Sequence, residues 1–462
     1  IDMGDIGSAS FDRVPDAIPV GRAAALAQRA ALSRYSLPEK EFAAWRAAAS
    51  RTGREPVTVA QVNVVGAERV NPEMVRRTFG IEAGDVVDNR KIGERATAVF
   101  ALSDFERVAY TLTGEGEQPA LNLHLTEKSW GPNILRFDLG FHIGTDANTA
   151  FMIGGDYLRT WINPLGGELH GSWRFGRTSG LDASLYQPLD AAQRWFVEPG
   201  ATGQRSIEDI YIDGESVARY RFSHAWGSLD VGRVFGNRAE LRAGILAGGQ
   251  SVEREIGTPG LPEISGEGYG GMTMRYVFDS RDRSTLWESG TLARIEYFRG
   301  LEGLGAVESY DRLEGVVATV VPFDGKVVHL RASGGASFGS DLPIYDTFAL
   351  GGPVSLPGLS LGELRGTSYW NARAMYLHRV ADISYVFGQA LYAGFSVSAA
   401  DMAGRIDGIE SPPIYSGALL LSGRTPLGPL SLSFALTSDS EWQIMFGLGR
   451  PIEERSITDS SW

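Results

Sequence analysis

The sequence predicts a mainly β protein, a transmembrane barrel of about sixteen strands, preceded by one small α+β domain and a short helical segment. Between residues 134 and 450, apolar and polar residues alternate in one strand-like segment after another. The 462 residues include 58 glycines and 10 tryptophans, which is high for a soluble enzyme of this size. No run approaches the roughly 20 apolar residues of a membrane-spanning helix.

The stretch "ILRFDLGFHI", residues 134–143, shows the alternation clearly. One face carries Leu135, Phe137, Leu139, Phe141 and Ile143, and the other carries Arg136, Asp138, Gly140 and His142. The pattern recurs in "LHGSWRFG", "AELRAGILA", "VHLRASGGA", "WNARAMY", "LSLSFAL" and "WQIMFGLG". A soluble sandwich would also alternate. Predicted strands of about nine to eleven residues, aromatic residues near strand ends and charges on the polar faces favour a barrel with a charged lumen.

Residues 56–128 predict a compact α+β domain with the element order β-α-α-β-β. "PVTVAQVNVV", "FERVAYTLTG" and "PALNLHLTEKSW" alternate as strands do. Between the first two strands lie two segments with apolar residues at helical spacing, Met74, Val75 and Phe79 in one and Ile92, Ala96 and Val99 in the other.

Residues 1–52 predict short helices, because the segment is rich in Ala and because Ser36 and Glu39 form a capping box. The chain begins "IDMGDIGSASF", without a basic or an apolar leader, so we expect a fragment or a mature product. Residues 451–462 are expected to be a C-terminal extension.

The composition excludes several functions. The net charge is -13 and no basic patch offsets it, which argues against nucleic acid as a partner. There are 0 cysteines, so disulfides, thiolate metal sites and a catalytic thiol are excluded. The 6 histidines show no ligand spacing, and we expect no metal and no cofactor. "GEGYGG", Gly266–Gly271, matches a dinucleotide-binding pattern, but a strand follows it instead of a helix.

The order of these elements resembles known families. The unit at residues 56–128, with "GD" after its first helix and "LTEKSWGPN" at its exit, resembles a POTRA domain, a small periplasmic module that precedes outer-membrane barrels. One such unit followed by about sixteen strands resembles the bacterial surface antigen superfamily of insertases and two-partner-secretion transporters.

Two motifs carry the resemblance in the barrel. "YVFDSRDRSTLWESG" resembles the family's D-x-R-D strand-turn-strand, and it makes Asp279, Arg281 and Asp282 candidates for polar contacts in the lumen or at the barrel rim. "FALGGPVSLPGLSLGELRG" resembles the family's long sixth loop. Where that family has Val-Arg-Gly-Tyr, this chain has Leu356, Pro357, Gly358 and Leu359. Proline replaces the arginine that locks the loop, and Glu363 and Arg365 are candidate substitutes.

The first residues, "GDIGSASFDR" and the Ala-rich helices, resemble the end of a patatin-like lipase domain. The resemblance therefore implies a patatin-like phospholipase autotransporter of type V, subtype d. Its catalytic residues would lie upstream, and we predict none in this chain. Asp2 and Asp5 are interpreted as structural. "GASFG" matches Gly-x-Ser-x-Gly around Ser337, but this serine ends a strand and lacks the strand-to-helix elbow that exposes a nucleophile.

The predicted function is that of an outer-membrane translocator or anchor for an upstream patatin-like phospholipase, with its POTRA domain in the periplasm. Two alternatives stay open: a generic insertase or two-partner-secretion transporter, and an outer-membrane lipolytic enzyme. The predicted partners are outer-membrane lipid and the barrel assembly machinery, with a homodimer as a further candidate.

Overall fold

The structure is a computed structural model. It describes residues 2–3, 6, 14–51, 56–102, 104–114, 119–145, 149–258, 261–282, 287–338, 341–381, 390–409, 412–425 and 427–449. The chain divides into two compact units, Ile1–Gly131 and Pro132–Trp462.

The first unit begins with short helices. They are α1 (Val14–Ala27), α2 (Arg29–Leu32), a 3₁₀ helix (Ser33–Tyr35) and α3 (Glu39–Arg51). Large apolar side chains of this segment are exposed, among them Ile18, Leu26, Tyr35, Phe42 and Trp45. Within the described residues, no helix has both the length and the apolar character needed to cross a membrane.

The predicted order β-α-α-β-β is present in the rest of this unit. The elements are β1 (Val57–Thr58), β2 (Gln61–Val65), α4 (Pro72–Phe79), β3 (Val86–Val87), α5 (Asn89–Phe100), β4 (Phe105–Thr113) and β5 (Ala120–Glu127). The sheet has the order β2-β5-β4, and the short strands β1 and β3 form a separate pair. Asn71 and Asp88 cap α4 and α5 with their side chains. All six apolar helix positions predicted from the sequence are buried.

Glu127, at the end of β5, holds the segment that enters α4. Its Oε1 accepts hydrogen bonds from the backbone N–H groups of Glu68, Arg69 and Val70 at 2.8–3.0 Å, and its Oε2 accepts one from Arg69 Nε at 2.7 Å. Burial opposes the charged form, but these donors outweigh it and lower the pKa of the Glu127 carboxyl. The carboxylate therefore ties the end of β5 to the segment between β2 and α4.

The second unit is a closed antiparallel barrel of sixteen strands, so the predicted strand number is confirmed. The strands are β6 (Asn133–Gly144), β7 (Thr149–Arg159), β8 (Glu168–Gly176), β9 (Thr178–Pro188), β10 (Trp195–Ile212), β11 (Glu215–Phe235), β12 (Ala239–Gly257), β13 (Ile264–Asp279), β14 (Gly290–Gly300), β15 (Asp311–Phe323), β16 (Lys326–Ser337), β19 (Ser368–Ala381), β20 (Leu391–Ala403), β21 (Ile414–Thr425), β22 (Gly428–Thr437) and β23 (Trp442–Gly449). The short strands β17 (Phe348–Leu350) and β18 (Leu364–Gly366) come between β16 and β19 and form a separate pair. Closure leaves the barrel strands no open edge, which a barrel in lipid requires.

The barrel has two mouths. We call the end at which β6 begins the N-terminal mouth; it carries the turns at 236–238 and 324–325 and the described residues 280–282 and 287–289. The opposite end is the long-loop mouth, because residues 338–367 leave β16 there. The predicted faces are confirmed: Leu135, Phe137 and Ile143 are exposed on the outer face of β6, whereas His142 is buried on the inner face.

Many barrel strands are longer than the predicted nine to eleven residues, and the excess is greatest in one part of the barrel. Strands β10 to β13 contain 18, 21, 19 and 16 residues. They extend beyond a single bilayer crossing at the long-loop mouth. There the outer face is charged, because Arg221 on β11 pairs with Glu253 at 3.4 Å and also with Glu255 on β12.

The seam that closes the barrel is short. Strand β23 pairs with β6 over five residues, Met445–Gly449 against Gly140–Gly144. Each of the other neighbouring pairs in the described barrel has at least seven paired residues, and β6 pairs with β7 over eleven. Few backbone hydrogen bonds therefore join the first strand to the last.

Candidate functional site

The long loop, residues 341–367, folds into the barrel and fills the lumen at the long-loop mouth. It contains a 3₁₀ helix (Ile344–Asp346) and a hairpin of β17 (Phe348–Leu350) and β18 (Leu364–Gly366). The loop tip, Leu356 to Leu359, is buried at all four positions. The predicted loop motif therefore lies inside the barrel.

An apolar core holds the loop in place. Strands β11, β13 and β14 contribute inward-facing Tyr220, Phe222, Trp226, Tyr269 and Phe298, and the loop contributes Tyr345, Phe348, Leu350, Leu356, Leu359 and Leu364. Each large side chain buried in this way contributes about 1.5–3 kcal/mol. In this half of the barrel the lumen therefore presents apolar side chains as well as charged ones, because the loop needs an apolar surface to pack on.

Barrel residues bind the backbone of the loop tip. Arg373 on β19 donates from Nη1 to the carbonyl oxygens of Pro353 at 2.5 Å and Val354 at 2.9 Å. Asn371 donates to the Ser355 carbonyl at 2.9 Å, and the Ser416 hydroxyl donates to the Pro357 carbonyl. These donors satisfy carbonyl groups of irregular backbone that is shielded from water.

Gly358 is required by the shape of the tip. Its φ is +103°, and a Cβ at this position would lie 2.8 Å from Thr437 Cγ2 on β22. Pro357 contributes a carbonyl acceptor in place of the family's arginine. The positive charge beside the tip comes from the barrel wall, where Arg373 binds the carbonyl groups of Pro353 and Val354.

Two further residues, Arg312 and Tyr310, hold the base of the loop. Arg312 on β15 donates from Nε to the Asp346 carbonyl at 3.1 Å, and its guanidinium lies 4.5 Å from the centre of the Phe348 ring. Tyr310 donates to the Asp346 carboxylate. The hydrogen bonds to Asp346 and the cation–π contact with Phe348 thus lie at the same end of the β17–β18 hairpin.

Arg365 crosses the lumen to the opposite wall. It forms an ion pair with Glu208 on β10, and its side chain is 6% exposed. The guanidinium also lies 5.4 Å from the centre of the Phe222 ring. Glu363 acts within the loop, where its Oε2 accepts a hydrogen bond from the Ser360 backbone N–H at 2.7 Å. Of these two sequence candidates, Arg365 contacts the barrel wall.

The structure places Asp279, Arg281 and Asp282 at the N-terminal mouth, away from the long loop. Arg281 forks onto Asp279 at 2.6–3.1 Å. Asp282 accepts from the backbone N–H of Glu288 at 3.0 Å. These contacts lie in the turn after β13, so of the two locations considered for these residues, the lumen and the rim, they occupy the rim.

Charged pairs line the lumen between the long loop and the N-terminal mouth. Arg275 pairs with Glu296 at 3.1 Å, and Arg242 pairs with Glu198 at 2.9 Å. Sequence reasoning did not single out these residues, nor Arg312, Asn371, Arg373, Ser416 or Glu208. The only feature of the sequence that indicates these residues is their position on the polar, inward-facing side of a predicted strand.

The candidate catalytic serine lies in strand structure. Ser337 is the last residue of β16, and the first helical turn after it in the described chain is the 3₁₀ helix at Ile344–Asp346. Gly266–Gly271 lies within β13, and strand structure continues after it instead of the helix that a dinucleotide site needs. Asp5 is outside the described residues. Among the described residues, no cluster of three or more acidic or histidine side chains could hold a metal ion.

These features define a closed sixteen-stranded antiparallel β-barrel whose lumen is plugged by its own long loop. Residues 271–451 match the Omp85 superfamily domain. The fold is similar to BamA from Haemophilus ducreyi lacking POTRA domains 1-3, with a TM-score of 0.62 and 13% identity over 85% of each chain. It is also similar to CdiB from Acinetobacter baumannii, with a TM-score of 0.54 and 13% identity over 85% of this chain and 74% of that one. No curated protein matches the sequence significantly. Residues 271–451 therefore carry an Omp85-type barrel domain, and this fold indicates the outer membrane.

Proposed function

We propose that the chain is the translocator part of a patatin-like phospholipase autotransporter. In this proposal the small α+β unit is a periplasmic POTRA domain, and the barrel anchors or exports an upstream lipase. The observation that carries it is the long loop, which fills the lumen and is held there by non-covalent contacts. A closure of this kind can be displaced by a passenger.

The N-terminal helices support an upstream domain. Ile18, Leu26 and Trp45 are each more than half exposed, and the described residues of α2 include no buried side chain. Helices with unburied apolar side chains normally pack against further structure. A lipase domain that continues from these helices would supply that surface.

A second candidate function, insertion of proteins into the membrane, is favoured by the short seam. Five residue pairs join β23 to β6. Opening this seam would expose the edges of two strands, on which another strand could pair.

Disulfide tethers at the loop tip and at the β23–β6 seam distinguish export through the lumen from insertion through the seam. Because the chain has 0 cysteines, engineered pairs form the only disulfides. Pro357→Cys with Ser416→Cys fixes the loop tip, and His142→Cys with Gly447→Cys fixes the seam at paired positions. A reporter domain fused before Ile1 is followed by its protease accessibility on intact cells.

We expect the loop tether to abolish exposure of the reporter, and a reducing agent to restore it, while the seam tether leaves exposure intact. Exposure that persists with the loop tethered would refute translocation through the lumen. Loss of exposure with the seam tether alone would favour the insertase function.

We also expect the 462-residue chain, purified alone, to show no esterase or phospholipase turnover above blank. A serine nucleophile needs an activating base and an oxyanion hole, and Ser337 ends a barrel strand. Turnover measured with a short-chain ester should therefore be the same for wild type and Ser337→Ala. Turnover that vanishes in Ser337→Ala would instead establish the barrel as a lipolytic enzyme.

A further inference from the structure

Residues 287–289, which lead into β14, reach into the lumen at the N-terminal mouth. Glu288 Oε1 accepts a hydrogen bond from the Tyr392 hydroxyl on β20 at 2.7 Å, and it also pairs with Arg424 on β21. Strand β14 is not adjacent to β20 or β21 in the barrel, so these contacts cross the opening. We call residues 279–282 and 287–289 the strap.

Trp287 fixes the strap to a second wall. Its Nε1 donates to His329 Nδ1 on β16 at 2.9 Å, and the two rings are stacked. The indole packs against an inward-facing apolar cluster that is separate from the core around the long loop: Val320, Val327, Leu377, Ala390 and Tyr392. Apolar residues that face a water-filled lumen would be solvated, so the indole serves as their cover.

The D-x-R-D motif builds this arrangement. Asp279 holds the Arg281 guanidinium, which lies 4.8 Å from the centre of the Trp287 ring. Asp282 accepts from the backbone N–H groups of Glu288 at 3.0 Å and Ser289 at 3.4 Å, which fixes the returning arm of the strap. Each charged residue of the motif thus positions Trp287 or Glu288.

We propose that the strap is a second closure of the lumen, which latches the N-terminal mouth through Glu288 and Trp287 as the long loop closes the other mouth. The latch consists of non-covalent contacts to β16, β20 and β21, so it can open while the barrel stays closed. The inference concerns the lumen alone and does not depend on which passenger the barrel carries.

A cysteine between the two closures reports on the latch. Ser433 faces the lumen on β22 and pairs with Leu420, whereas Arg424 pairs with Pro429 nearer the N-terminal mouth and the tip residue Gly358 approaches Thr437 at the other end. Ser433→Cys is therefore labelled in the folded, detergent-solubilised full chain with a bulky water-soluble maleimide. Heat-modifiable mobility on a gel verifies that each variant is folded.

Adding Glu288→Gln to Ser433→Cys should raise the labelling rate about five- to thirtyfold. Loss of one such contact raises the population of molecules with an open latch by about this factor. Trp287→Ala should act in the same direction. Asp324→Asn, which removes a carboxylate from the exposed turn between β15 and β16 at the same mouth, should leave the rate unchanged.

Reversing the charges of the Glu288–Arg424 ion pair distinguishes a specific latch from a general loosening of the barrel. Glu288→Arg should label fast, and combining it with Arg424→Glu should restore slow labelling. The proposal is overturned if the cysteine reacts at the rate of a free thiol without any strap change. It is equally overturned if Glu288→Gln labels no faster than Asp324→Asn, or if the reversed pair stays fast.

Discussion

Leu432→Arg should destabilise the barrel by about 2–4 kcal/mol in lipid vesicles, since it places a charge against hydrocarbon near the bilayer midplane. Leu432 lies on the outer face of β22, between Leu421 on β21 and Phe446 on β23. Its side chain is 48% exposed in the isolated chain, so lipid covers it in the membrane. The free energy of unfolding is measured by denaturant titration, followed by the gel mobility of folded and unfolded forms.

Ser433→Arg is the matched control, because it adds the same side chain at the next residue on the opposite face. Its guanidinium enters a lumen that already holds many charges, and we expect a loss of stability well below that of Leu432→Arg. Equal losses at the two positions would show that the outer face of β22 does not contact lipid.

The assignment of faces could be predicted because lipid and lumen impose opposite demands on successive residues of a strand. That information is local, so "LSLSFAL" and "ILRFDLGFHI" reveal it without any knowledge of neighbours. The long loop was located by its glycines and by its resemblance to a family motif. The contacts of the loop were not predicted, because Arg365 and Glu208 are far apart in the sequence. The residue pattern that marks an arginine as inward-facing does not indicate which residue it binds.

One signal of the plug was present in the sequence of β11. In "ARYRFSHAWG" the large apolar residues Tyr220, Phe222 and Trp226 occupy even positions, whereas in "LDVGRVF" Leu229 and Val231 occupy odd ones. The strand continues across this change, so along the chain its apolar face switches from the inside to the outside. Apolar side chains that face the lumen of a barrel are exposed to water unless another apolar segment covers them. The switch therefore predicts a plug near the long-loop mouth.

Arg365→Ala should release the long loop from the lumen while the barrel strands stay paired. The variant leaves the Glu208 carboxylate buried without its cation, and breaking a buried ion pair in this way costs about 3–5 kcal/mol. The strands keep their backbone hydrogen bonds, so the loss falls on the loop. We expect higher conductance in planar bilayers and faster proteolysis within residues 341–367, with heat-modifiable mobility retained.

The double variant Glu208→Ala with Arg365→Ala provides the decisive comparison. With both charges removed, no uncompensated carboxylate remains, and the apolar core around Phe348 and Leu356 still favours the inserted loop. Conductance and proteolysis should therefore return most of the way to wild type, which gives a coupling energy between the two residues. If the double variant is as leaky as the sum of the two single variants, the ion pair does not hold the loop, and Arg373 and Arg312 become the contacts to test.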